Sequence, residues 1–185
     1  MQIREKEITL KDGRKGIIRS PRAEDAEETI DFLTVTRSET DFLLRYPEEC
    51  SARYTVESEV AFFERINSSE NEAMLMCFVD GKLAAMSNLS WMDAIKVRHR
   101  ANVSISVKKD CWNLGIGSQM FAEMIRICEE DGKILQMELD FIEGNTRARA
   151  LYEKMGFRIA GIKPNAIRLK DGTLLNEYSM VRTVK

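Results

Sequence analysis

Three Asp-Gly pairs, each set between apolar runs, constrain this chain more than any other feature: Asp12-Gly13, Asp80-Gly81 and Asp171-Gly172. Asp-Gly supplies the backbone that tight hairpin turns need, because glycine tolerates positive φ and aspartate hydrogen-bonds its own backbone. Each pair therefore predicts two antiparallel strands. The first joins residues 8–10 to 16–19, and the second joins the continuous apolar run 73–79 to residues 83–89. The third joins 157–168 to 174–184 at the C-terminal end. Six strands are thereby paired locally, before any long-range contact is considered.

Helical periodicity fills the intervals. Ser20-Pro21 marks a helix entry with Asp25, Glu27 and Glu28 near its start, and Ile30, Leu33 and Thr34 predict its apolar stripe. Val60, Phe63 and Ile66 predict a second helix over 58–67. Residues 101–107 alternate apolar and small polar side chains and read as a strand. A helix is predicted over 115–130 from Ile116, Met120, Met124, Ile127 and Cys128. Next comes a strand over 134–142, with Leu135, Met137, Leu139 and Phe141 on one face. A short helix over 145–155 ends at Gly156. The order is β, helices, ββ, β, helix, β, helix, ββ. It describes an α/β or α+β sheet with helices on it, without regular βαβ alternation.

No repeat, low-complexity tract or linker interrupts the 185 residues, so one domain spanning 1–185 is expected. At that length about 70% of the unfolded surface can be buried, enough for a core without cross-links. The balance of 28 basic and 30 acidic residues gives no global attraction to nucleic acid or an anionic membrane. No apolar run approaches the ~20 residues of a membrane span. Cys50, Cys77, Cys111 and Cys128 form no C-x-x-C pair and His99 is the only histidine, so no metal site is expected. The first fifteen residues lack the apolar core of a signal peptide, which makes reduced thiols in a cytoplasmic protein the expectation.

Chemistry concentrates between Val107 and Ser118. A strand ends, a short loop follows, and Gly115 and Gly117, spaced G-x-G, open a helix. Unpaired N–H groups at a helix N-terminus favour an anion, and glycine lets it approach the backbone. The same glycines would also serve tight helix–sheet packing. A dinucleotide fingerprint requires a third glycine where this chain has Met120.

A second segment runs from Asn145 to Phe157 with the spacing N-x-x-A-x-x-L-Y-x-x-x-G-F, about thirty residues after the glycines. Together the two segments resemble the GNAT superfamily of N-acetyltransferases, and the element order extends the resemblance over most of the chain. The resemblance implies a mixed, mainly antiparallel central sheet of about seven strands flanked by about four helices. It also implies acetyl-CoA as acyl donor and an amine as acceptor, joined by direct attack in a ternary complex. The strand ending at Val107 would splay from the next one, and its free backbone groups, at Ile105 and Val107, would hold pantetheine. The turn through Trp112, Asn113, Leu114, Gly115, Ile116, Gly117 and Ser118 would cradle the pyrophosphate. Asn145 and Ala148 would line the same groove, and Tyr152, two turns beyond Asn145, would protonate the departing thiolate.

This chain departs from the family at Trp112, where relatives usually carry Gln or Arg; its indole serves packing or ligand contact. Many relatives place a glutamate base where this chain has Asn102. Glu138, Asp140, Glu143 and Glu177 remain candidates beside their reading as surface carboxylates, and a water chain would serve equally. Residues 41–47 fall where the family's acceptor site usually lies. The basic run 96–100, which includes His99, reads as a solvated loop. Two rival functions stay open: a non-catalytic acyl-CoA-binding module and, more remotely, a dinucleotide-dependent oxidoreductase. A homodimer is the common assembly for such a chain.

Overall fold

The computed structural model describes residues 1–51 and 53–184. Its strands are β1 (Lys6–Thr9), β2 (Lys15–Arg19), β3 (Glu72–Val79), β4 (Lys82–Trp91), β5 (Arg100–Val107), β6 (Gln136–Ile142), β7 (Arg158–Arg168) and β8 (Leu174–Thr183). They form a single sheet in the order β1-β2-β3-β4-β5-β6-β8-β7. The helices are α1 (Ala26–Ser38), α2 (Glu48–Ser51), α3 (Val56–Ser68), α4 (Ile116–Asp131) and α5 (Thr146–Lys154). This is the expected mixed, mainly antiparallel architecture, with one strand and one helix more than the resemblance implied. The extra helix, α2, spans only four residues and is too short to leave a periodic signal.

The Asp-Gly hairpins form as the turn chemistry dictates. In the tightest, Asp80 and Gly81 both take positive φ, 51° and 77°, and Val79 pairs with Lys82 across them. The run 73–79 is apolar throughout because both of its faces are covered. Met74, Met76 and Phe78 pack with Phe32 of α1 and with Phe63 and Ile66 of α3. Leu75, Cys77 and Val79 join the larger core under α4, with Met120, Phe121 and Met124.

Two local expectations are corrected. The buried face of α1 is Ala26, Thr29, Phe32 and Thr36, whereas Thr34 is exposed and Ile30 and Leu33 are half-buried. Phe32, the bulkiest apolar side chain of that helix and fully buried, sets the rotation. Strand β6 begins at Gln136, so Leu135 lies outside it and is 58% exposed. Met137, Leu139 and Phe141 do share the core face.

One irregularity positions the site. Among the described residues β5 and β6 are the only parallel neighbours, and their pairing covers Arg100↔Gln136, Ala101↔Met137 and Asn102↔Glu138 before it stops. β5 continues along β4 as far as Val107↔Ala85. Beyond Asn102 the sheet is therefore open between two adjacent strands.

Candidate active site

Backbone alternation fixes what faces the opening. Lys108 N–H donates to the Ala84 carbonyl at 2.9 Å, so the even-numbered residues at this end of β5 bond to β4. The N–H and C=O groups of Ile105 and Val107 then point the other way, toward β6, where no strand receives them. A cleft of about 690 Å³ occupies this place, lined among others by Ile105, Val107, Phe141, Asn145, Ala148 and Tyr152. Side chains on both sides of the sheet line it, Ser104 and Ser106 together with Leu151 and Tyr152, so it runs through the sheet as a slot.

The turn that follows Trp112 depends on its glycines. Gly115 caps α4 with φ 92°, and Asn113 also has positive φ at 64°. A Cβ on Gly117 would stand 2.8 Å from Leu151 Cδ2, so this glycine serves close packing of α4 on α5. The packing reading of the G-x-G pair holds at Gly117, and Gly115 serves the turn. The first N–H groups of α4, at Ile116, Gly117 and Ser118, have no acceptor within the helix and add the positive end of its dipole. The backbone of Leu114 is held from outside the turn, since its carbonyl accepts from Lys11 N–H at 3.1 Å.

Trp112 does structural work. Its indole N–H donates to the Val107 carbonyl at 2.8 Å, and the guanidinium of Arg147 lies 3.9 Å from the ring centroid. The Val107 carbonyl is thus occupied and its N–H is the group left for a ligand. Arg147 also donates to Asn113 Oδ1 at 3.0 Å, and Lys154 reaches Ser118 Oγ at 3.3 Å. These two cations on α5 flank the turn. Sequence reading missed them because charges on an exposed helix face carry no periodic signal; their seven-residue spacing, one face of one helix, was the available clue.

Asn145 caps α5, its Oδ1 accepting from Ala148 N–H at 3.2 Å, which leaves its amide donors for the slot. Tyr152 is 7% exposed and packs edge-on to Phe121, with ring centroids 5.5 Å apart. Burial pushes its phenol up to about 12, so the hydroxyl keeps its proton at any working pH. No side-chain hydrogen bond within the described residues engages that hydroxyl, and Tyr152 lines the slot. A protonated donor facing a cavity can protonate a leaving group there.

Among the earlier base candidates, Glu138 is bound by Arg100 through two hydrogen bonds of 2.5 and 2.6 Å, which hold its carboxyl below the usual range. Glu143 Oε2 accepts from Asn176 N–H at 3.0 Å, and Glu177 pairs with Lys163 at 2.8 Å. Asp140 lines the slot. Of residues 41–47, Phe42 to Arg45 form the slot's wall toward α1.

A family model described as "Acetyltransferase (GNAT) family" matches residues 38–157, which include the turn, the slot and α5. This chain belongs to the GNAT family. It is an acetyltransferase by that membership and by its named relatives. One is the L-amino acid N-acetyltransferase AaaT of Escherichia coli K12, 26% identical over 119 residues, 64% of this chain and 73% of the relative. Among solved structures, an acetyltransferase of the GNAT family from Streptococcus pneumoniae superposes with a TM-score of 0.84 at 28% identity. That match covers 92% of this chain and 99% of the other. The acetyltransferase yncA from Salmonella typhimurium, solved with its cofactor acetyl-CoA, shares the fold with a TM-score of 0.76 at 16% identity. It covers 92% of this chain and 94% of its own.

Proposed function

We propose that this GNAT protein transfers an acetyl group from acetyl-CoA to a primary amine by direct attack, with the donor seated in the slot between β5 and β6. The supporting observation is the coincidence of three features along one opening. Ile105 and Val107 turn backbone groups toward it, the α4 turn follows directly on Trp112, which lines it, and Tyr152 lines it with a proton that burial retains. Pantetheine would pair with β5 as an added strand does, and the pyrophosphate would meet the N–H groups of Ile116, Gly117 and Ser118.

In this reading Trp112, Asn113, Leu114 and Gly115 shape the turn rather than contact phosphate through side chains. Asn145 would donate its amide to the pantetheine arm, beside Ala148. An acceptor with a pKa near ~10.4 must lose a proton before it attacks the thioester carbon. The Val107 N–H would meet the oxyanion, and Tyr152 would give its proton to sulfur as the C–S bond breaks. The relative from Escherichia coli acts on L-amino acids by name, which makes a small amine the first acceptor to test. Residues 1–185 would work as one catalytic domain, in keeping with the single sheet.

Thermal unfolding with saturating acetyl-CoA, CoA or NADH tests the donor. A ligand at about 100 times its Kd adds about 2.7 kcal/mol. A rise with both CoA species and none with NADH is expected, followed by thiol release in the presence of an amine. CoA binding without turnover of any amine would instead identify an acyl-CoA-binding module.

A further inference from the structure

A second cavity of about 630 Å³ lies over β6, β8 and β7, on the sheet face opposite the α4 core. Its walls include Arg100, Glu138, Asp140, Gly161, Lys163 and Ser179. Among the described residues Asp140 is the single one that lines both this groove and the slot. It stands two residues beyond Glu138, where β5–β6 pairing ends, and so at the threshold between the two spaces.

The carboxylate is held and incompletely used. Ser179 donates to Oδ1 at 2.5 Å, which fixes the group. Oδ2 has only Lys163 Nζ at 3.5 Å, and that ammonium is engaged more closely by Glu177 at 2.8 Å. The opposite wall of the slot carries Arg37 and Arg45 beside Glu39, whose Oε2 accepts from Lys109 N–H at 2.9 Å. A β-bulge at Ala160, where β7 slips against β8, bends that strand at the groove.

We propose that the acceptor amine reaches the thioester through this groove, and that Asp140 is the catalytic residue that holds its nitrogen. This rests on the donor reading above. The acceptor enters as an ammonium ion, displaces Lys163 toward Glu177, and is held at Oδ2; there it releases one N–H proton to solvent in the groove, and the freed lone pair turns toward the thioester in the slot. Lys163 acts as a built-in competitor for the same oxygen. The acceptor class is accordingly a primary amine that is cationic at neutral pH, and its affinity depends on that charge.

Initial rates of thiol release test this, with a free L-amino acid, an L-amino acid amide and 1,4-diaminobutane as acceptors. Asp140→Asn should raise the KM of whichever acceptor turns over fastest at least tenfold and leave the acetyl-CoA KM within twofold. Gly161→Leu should do the same by filling the groove, because a Cβ at Gly161 meets nothing within 4 Å and the fold has room for it. Lys163→Met should lower the acceptor KM, a change of sign that a purely structural role would not produce. Acceptor KM values unmoved by Asp140→Asn and Gly161→Leu but raised by Arg45→Ala would overturn the proposal in favour of entry along residues 42–45. No turnover with any of the three acceptors would also overturn it. The acetyl-CoA thermal shift separates the two readings: its absence in the unmodified protein means that the donor assignment has failed, whereas its persistence confines a failure to the acceptor route.

Discussion

Tyr152 shows how one residue carries two arguments that separate on mutation. Its ring belongs to the aromatic cluster with Phe121, Phe141 and Phe157, and the residue lines the slot. Tyr152→Phe keeps the ring and removes only the proton donor. kcat should fall by about 100-fold or more, the usual scale for a general acid, with the acetyl-CoA dissociation constant unchanged. A Tm within about 1 °C of the parent is expected, because no described side chain loses a hydrogen bond. Activity retained within threefold would remove Tyr152 from the mechanism. Gly117 is a second separable case. In Gly117→Ala the new methyl would meet Leu151 Cδ2 at 2.8 Å, the end of a side chain able to rotate. Leu151 lines the slot, so the strain is expected there: about tenfold weaker acetyl-CoA binding, near 1.4 kcal/mol, with little change in the urea midpoint. Adding Leu151→Ala to the same chain should restore affinity, measurable by titration calorimetry.

At the scale of elements, the sequence was most legible where local chemistry decides structure. Asp-Gly turns placed three hairpins, and Gly156 ends α5 with Phe157 N–H bonded back to the Tyr152 carbonyl at 2.9 Å. It was least legible where tertiary contact decides. Ile30 and Leu33 looked like the core stripe of α1, yet packing against α3 selected Phe32. Asp25 read as a residue favoured by the helix dipole. Instead it is 5% exposed and grips Arg19 through two hydrogen bonds of 2.6 and 2.8 Å, while Arg22 N–H donates to it at 2.7 Å. That pair ties β2 to the start of α1, and Arg19 also lies over the Phe78 ring at 4.1 Å. Asp25→Ala would leave a largely buried guanidinium without its partner. A loss of about 3–5 kcal/mol in urea unfolding is expected. A loss under 1 kcal/mol would mean that water already screens the pair.

For the whole molecule, the glycine turn, α5 and Tyr152 could be read as motifs because they depend on spacing along the chain. Asp140 was legible as one of four candidate carboxylates, whereas its approach to Lys163 and the groove were not, since β6 and β7 are joined through β8. The distribution of protons has the same global origin. Burial pushes Cys77 and Cys128 up to about 12 and Tyr152 to about 12, and holds half-buried Cys111 at about 11. Each of these folded values lies above that of the unfolded chain, so between the two the native state binds more protons. Stability must then fall as pH rises, beginning near the thiol value of ~8.5 and continuing toward 12. Carboxylates held low by cations act in the opposite window. Glu123, lowered by Arg126 and Lys6 against its burial, adds stability that disappears as pH drops below about 4. Urea unfolding should therefore give lower stability at pH 10 than at pH 7.5, by about 2–4 kcal/mol from the two fully buried thiols. Cys77→Ala with Cys128→Ala should flatten the curve between those two pH values while lowering it at pH 7.5, where both thiols are protonated. An unchanged slope in the double variant would mean that the alkaline loss comes from other groups, with lysine deprotonation at the surface ion pairs the next to examine.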